Sequence, residues 1–181
     1  MERCRLVFSG SGGQGLITAA IILAEAAVLH EGLNAVQAQS YGAAARGGVT
    51  RSDVIISDSE INFPKVVQPN ILVCLTQEAY DTNHAIIRPG GLLITDPHFV
   101  TQRRKADAVH RNLQLYRSVQ KEIGKTIVLN ICMLGALQGL TNLVSLESLQ
   151  AVVANRVPKA FVDLNNRALD LGVRLARESL N

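Results

Sequence analysis

Through residue 116 the chain alternates short apolar runs with Ala- and Leu-rich stretches, and from Val119 onward apolar spacings near 3.6 residues take over. Arg3–Ser9, with Val and Phe among its apolar positions, predicts a buried first strand. It runs through Gly10-Ser-Gly-Gly-Gln-Gly15 into Leu16–His30, which contains no Gly or Pro and stops at Gly32, so it predicts a helix. That helix is apolar nearly all round, which places it in the interior or against another chain. Asn34–Gln39 and Val49–Ser57 predict a second and third strand, joined by a loop of small residues, Ser40–Gly48. Asp58-Ser59 marks a turn into a short Ile61–Phe63 strand closed by Pro64.

Ile71–Leu75 is the strongest candidate for a central strand, and the helix Gln77–Ile87 should end before Pro89-Gly90-Gly91. Gly91–Thr95 predicts another buried strand, and Asn112–Tyr116 a last one. Helices are expected over Ile127–Leu140, Leu146–Asn155 and Lys159–Glu178. Alternating strands and helices imply an α/β fold: a single Rossmann-like domain over residues 1–181, its mostly parallel sheet flanked by helices, with a helical C-terminal segment.

Composition sharpens this picture. Apolar residues make up 48% of the chain and charged residues 18%, against about a quarter charged in an ordinary globular domain. Partner chains covering part of the surface account for that. Aromatic residues are 4% and Trp is absent, so the core is aliphatic and suits helices packed closely on a parallel sheet. The net charge of +3 is mild and its basic residues are scattered apart from Arg103-Arg104-Lys105, which argues against nucleic acid. Cys4, Cys74 and Cys132 form no C-x-x-C pair and read as buried thiols, so neither a disulfide framework nor a metal knuckle is expected. The N-terminus enters a strand at once, and the apolar stretch Leu16–Leu29 is too short to span a bilayer. A soluble cytoplasmic protein without a membrane partner is the expectation.

The strand, Gly10-x-Gly12-x-x-Gly15, helix arrangement is one that makes an anion site. Its glycines let the backbone turn tightly and approach a phosphate, while free N–H groups at the helix start point toward it. A Walker A loop requires Lys and then Ser or Thr after the last glycine, where Leu16 and Ile17 stand, so ATP or GTP hydrolysis is excluded. A dinucleotide site wants a carboxylate at the end of the second strand to hold the ribose, and Gln37-Ala-Gln39-Ser40 supplies none. A tight turn with no ligand stays open. Arg46-Gly47-Gly48 is the second feature: one guanidinium in a loop of small residues suits a phosphate or carboxylate, and a loop that packs on another chain would look the same.

Other candidates are weaker. No G-x-S-x-G surrounds Ser9 or Ser11. His30, His84, His98 and His110 lack partners at metal-ligand spacing and read as surface residues. Asp53, Asp58 and Asp96 sit at strand ends, where turns favour Asp. Neither a catalytic constellation nor a metal site emerges.

Taken together, GSGGQGLITAAIILAEAAVLHEG and QSYGAAARGGVTRSDVIIS, then PNILVCLTQEAY, PGGLLITD, NICMLGAL and KAFVDLNNRAL, resemble the gamma subunit or gamma domain of the 2-oxoacid:ferredoxin oxidoreductases. The resemblance spans nearly the whole chain, and its specific part is the glycine loop followed by Tyr41 and the Arg46-Gly-Gly block. It implies a complex that converts a 2-oxoacid, CoA and oxidised ferredoxin into acyl-CoA, CO₂ and reduced ferredoxin. Thiamine diphosphate with Mg²⁺ and the iron–sulfur clusters are then expected on alpha, beta and ferredoxin-like delta partners. In agreement, this sequence lacks a C-x-x-C-x-x-C run and has no G-D-G upstream of Asn165-Asn166. The gamma module would brace the other subunits and bind CoA near the glycine loop. Carried over residue by residue, Gly10, Ser11, Gly12, Gly13, Gln14 and Gly15 form the pyrophosphate cradle, with Arg46, Gly47 and Gly48 either at the ligand or at an interface. Pyruvate, 2-oxoglutarate, branched-chain oxoacids and indolepyruvate all remain open, with a lean to 2-oxoglutarate, and the isolated chain is expected to form a homodimer. A stand-alone NAD(P) oxidoreductase and a nucleotide-binding structural module are the alternatives.

Overall fold

The computed structural model describes residues 3–41, 48–103 and 105–181, with Tyr41 described by its backbone alone. Among the described residues six strands form one sheet: β1 (Cys4–Ser11), β2 (Asn34–Tyr41), β3 (Val49–Ser57), β4 (Ile71–Cys74), β5 (Gly91–Thr95) and β6 (Ala108–Asn112). Their order across the sheet is β2-β3-β1-β4-β5-β6. β1, β4, β5 and β6 run parallel, while β3 is antiparallel to both of its neighbours, so β2 points the same way as β1. The chain leaves β1, crosses over through helix α1 (Leu16–Leu29) to the far edge, returns along β3 beside β1, and continues on the other side with β4. The gap between the carboxyl ends of β1 and β4 is therefore a topological switch point, where open α/β sheets bind ligands.

Strand alternation sorts the core into two layers. Leu6, Phe8, Val54, Ile56, Val73 and Ile94 face α1 and the C-terminal helices α3 (Leu115–Glu122), α4 (Leu129–Thr141), α5 (Leu146–Arg156) and α6 (Val162–Glu178). Val7, Ile55, Leu72, Cys74 and Leu93 face α2 (Gln77–Asn83), together with Val66, Ile87 and Val100. Both faces of the central strands are covered, which is why those strands read as continuous apolar runs. Helix α1 is apolar all round because it is interior: Ala19, Ala20, Ala26 and Ala27 are fully buried. It ends as expected, with Gly32 at φ 65° and the Leu33 N–H donating to Ala27 O.

The seam between α4 and α6 depends on glycine. A Cβ on Gly172 would overlap the Cys132 carbonyl oxygen and lie 2.6 Å from the Ala136 nitrogen, and one on Gly135 would overlap the Leu169 carbonyl. The two backbones touch, without side chains between them.

Two sequence expectations are corrected. Ile61–Phe63 is not a strand but part of a long irregular connection before β4. The last strand lies at Ala108–Asn112, not Asn112–Tyr116. Leu113 and Leu115 are both buried, so their spacing mimics a strand, but a turn at Gln114 (φ −77°, ψ 56°) starts α3 there.

Candidate functional site

The glycine loop sits at the switch point, and most of its residues have structural partners. Gln14 folds back under the loop: its side-chain oxygen accepts from the Ser11 N–H at 2.9 Å and its amide donates to Leu75 O at 2.9 Å, tying β1 to the end of β4. The Leu75 N–H in turn donates to Ser9 O at 3.0 Å, and the Asn83 amide on α2 donates to the buried Ser9 hydroxyl at 3.1 Å. Gly10 leaves room for neighbouring side chains: a Cβ would overlap the Gln14 side-chain oxygen and lie 2.6 Å from Leu16 Cδ1, so both would have to move. Gly15 has φ 72° and faces Asn130 of α4, whose amide donates to Gly15 O at 3.1 Å. Gly13 has φ 87°.

Gly12 differs. Its φ is not positive, and a Cβ there would find only Thr50 Oγ1, at 3.9 Å. Gly12 and Gly13 are exposed, and no other described residue accepts from their N–H groups. The outcome is an exposed stretch of backbone beside the start of α1 whose N–H donors are unmet among the described residues, which suits an anionic oxygen. Ser11 contributes backbone to the wall rather than a free donor, since Gln14 takes its N–H.

The second predicted feature is brought to the same place in part. Val49 and Thr50 at the start of β3 pair with Ser11 and Gly10, so Gly48 adjoins the loop. Arg46 and Gly47 lie outside the described residues, as does Arg104 of the basic triplet. At the end of β2, where a dinucleotide site would present a carboxylate, stand Gln39, Ser40 and Tyr41. Asp53 does not serve in its place: the Arg51 guanidinium grips it at 2.6 and 3.0 Å and also donates to Val66 O.

Several other titratable groups have structural duties. Asp96 accepts from the His98 and Tyr116 N–H groups at 2.8 and 2.6 Å, the turn role expected of it, and burial outweighs those bonds to push its carboxyl above the usual range. His84 departs from the surface expectation. It is buried, 3.0 Å from Tyr80 O, and stacked on the Tyr80 ring. His110 is half-buried between Thr95 and Gln102, and burial lowers its pKa. Burial pushes the Cys74 and Cys132 thiols up to about 12 and Cys4 to about 11, so all three are poor nucleophiles at neutral pH. Among the described residues no group of three His, Cys, Asp or Glu side chains converges on a metal position. No helix among them is long and apolar enough to cross a membrane.

Sequence reasoning missed Asn130. It lies on a helix more than a hundred residues from the loop, and only the α4 packing brings it to Gly15.

Residues 5–175 match the model of the family described as pyruvate ferredoxin/flavodoxin oxidoreductase. The chain belongs to that family. The 2-oxoglutarate synthase subunit KorC of Methanocaldococcus jannaschii is 44% identical over 178 residues, covering 97% of this chain and 95% of the relative. The crystal structure of a keto/oxoacid ferredoxin oxidoreductase gamma subunit from Geobacter sulfurreducens superposes with a TM-score of 0.90 at 41% identity, covering 99% of both chains. The fold alone is shared, at a TM-score of 0.89 and 23% identity, with 32% of a chain of 2-oxoglutarate:ferredoxin oxidoreductase from Magnetococcus marinus. The two relatives matched over nearly their whole length are named as subunits, and this chain is an accessory oxidoreductase subunit of the gamma type. The stand-alone NAD(P) enzyme and the nucleotide module are not favoured.

Proposed function

We propose that this chain is the gamma subunit of a 2-oxoglutarate:ferredoxin oxidoreductase, and that its glycine loop receives a phosphate of coenzyme A. The oxoacid follows the KorC relative, named as a 2-oxoglutarate synthase subunit and matched end to end. In this reading thiamine diphosphate, Mg²⁺ and the iron–sulfur clusters belong to alpha, beta and ferredoxin-like delta partners, and ferredoxin takes the electrons. The chain works in the cytoplasm, and in isolation it pairs with a second copy of itself.

The observation that carries the CoA reading is Gly12. Packing accounts for Gly10 and Gly15, and a positive φ for Gly13, whereas nothing among the described residues requires glycine at position 12. A ligand against this exposed backbone supplies the missing reason. The free N–H groups of Gly12 and Gly13 and the adjacent helix start bind and orient a phosphate, while Gln14 and Asn130 hold the loop in that shape. In this proposal Arg46, with Gly47 and Gly48 next to it in the sequence, supplies the charge for the phosphate.

The test replaces Gly12 with Leu in the assembled enzyme. Assembly and melting temperature should stay near wild type, since the site is open, while the KM for CoA rises about tenfold or more with a smaller change in the KM for 2-oxoglutarate. An unchanged KM for CoA in a fully assembled enzyme would refute the role. A panel of 2-oxoacids tests the substrate separately.

A further inference from the structure

At the opposite end of the sheet from the glycine loop, Arg5, Lys65 and Arg88 converge on a cleft of about 550 Å³ that no carboxylate lines among the described residues. Asn70 forms part of its floor, and Phe63 and Val67 stand on its rim, 61% and 62% exposed. None of the three cations has an ion-pair partner among the described residues.

The cleft is built rather than incidental. Its outer wall is the irregular connection between β3 and β4, which carries no regular structure of its own yet is pinned at four places. The Arg3 guanidinium donates to Glu60 O at 2.7 Å, and that of Arg51 to Val66 O at 2.9 Å. The Asn70 and Arg5 backbones exchange bonds at 2.8 and 3.0 Å, the second through the Asn70 side chain, and the Arg88 N–H reaches Pro69 O. Val66 points into the core and is 2% exposed, which turns its flanking residues Lys65 and Val67 outward. Long ordered connections of this kind in a small domain usually serve a function.

We propose that this cleft docks an acidic segment of a partner subunit, one that sets carboxylates against Arg5, Lys65 and Arg88 and lays an apolar side chain on Phe63 and Val67. Charge complementarity identifies the occupant. Three cations with no ion-pair partner among the described residues call for anions, and an exposed aromatic beside Arg residues is the composition of a protein–protein contact. A small ligand is disfavoured by position, since open α/β sheets hold their ligands at the carboxyl ends of the strands and this cleft lies at the amino ends. The proposal rests on the chain being a subunit of the larger oxidoreductase.

The experiment reconstitutes the enzyme from purified subunits and measures the affinity of this chain for the rest of the complex at low and high salt. The variants are the Lys65→Glu/Arg88→Glu double and, separately, Phe63→Ser. These side chains are exposed, so melting temperatures should be preserved, and the milder Lys65→Gln/Arg88→Gln double serves if charge reversal disturbs folding. The wild-type affinity should fall with salt. The charge reversal should weaken association about tenfold or more and flatten that salt dependence, and Phe63→Ser should weaken it without flattening it. A wild-type chain that assembles, with variants that match its affinity and salt dependence, overturns the docking role alone. A wild-type chain that does not assemble overturns the subunit reading and the docking proposal with it.

Discussion

Replacing Gly172 with Ala tests the contact that holds the C-terminal helices on the domain. The new methyl would overlap the Cys132 carbonyl oxygen and lie 2.6 Å from the Ala136 nitrogen, both backbone atoms of α4. A carbon meets a backbone acceptor comfortably at about 3.3 Å. Helices α4 and α6 must therefore part by most of an ångström or more, along a seam that buries Cys132, Met133, Ala136, Leu169 and Ala176. Overpacking of this kind costs about 1–3 kcal/mol, and the backbone clash places Gly172 at the upper end. Ala gains about 1 kcal/mol of helix propensity over Gly, which offsets part of it. The net is a loss of about 2 kcal/mol, or a melting temperature about 4–8 °C lower for a chain of this size. Circular dichroism melts of Gly172→Ala, Gly135→Ala and Gly139→Ala should rank in that order. Gly139→Ala should be the mildest, because its methyl would meet Ala176 Cβ at 2.9 Å and Val173 O at 3.0 Å. A Gly172→Ala protein that melts at or above the wild type would show that the two backbones do not touch.

Gln14→Ala removes both bonds that clasp the glycine loop, and at about 1 kcal/mol each it should cost about 2 kcal/mol in a urea melt, with the m-value unchanged. Acid should destabilise the α1–α5 contact. Glu25 is held below its ordinary value of 4.5 chiefly by the Arg156 hydrogen bond, and Glu31 likewise by bonds from the Ser148 side chain and the Ser145 backbone. Folded values below unfolded ones mean that this stability is present above about pH 4.5 and is lost as pH falls through the depressed folded values. Both carboxylates are solvent-facing, so each contributes less than about 1 kcal/mol, and Glu25→Gln should lower the neutral plateau of a stability profile by up to that amount and flatten its acid limb.

Much of the architecture was legible in the sequence because both faces of the central strands are buried, which leaves apolar runs that few other structures explain. The misplaced last strand shows the limit. Leu113 and Leu115 alternate like strand residues and are buried like them, but the alternation comes from a turn that feeds both side chains into the helical layer. Ile61–Phe63 misled for a related reason. Its apolar residues belong to an exposed irregular connection, with Phe63 on the rim of the cleft, and have no strand to pair with. Asn130 and the α4–α6 glycines had no local signal at all, because their roles exist only once distant segments pack.

The glycine motif itself was visible at once, but what each glycine is for was not. A motif of this spacing arises whenever a strand turns sharply into a helix, so its presence cannot distinguish a ligand site from a tight connection. The structure separates the two by position. Gly10 makes room for Gln14, Gly15 for Asn130, and Gly13 adopts a backbone that side chains resist, so a ligand-free turn already demands three of the four. Among the described residues Gly12 alone is surplus to that demand, and like Gly13 it leaves its N–H unmet there. Substitutions at Gly10, Gly13 or Gly15 would damage the turn and any bound phosphate together, and activity lost there would say little about CoA. A side chain at position 12 would cover the exposed backbone donors while leaving the turn intact, which is why the case for a bound phosphate rests on that residue.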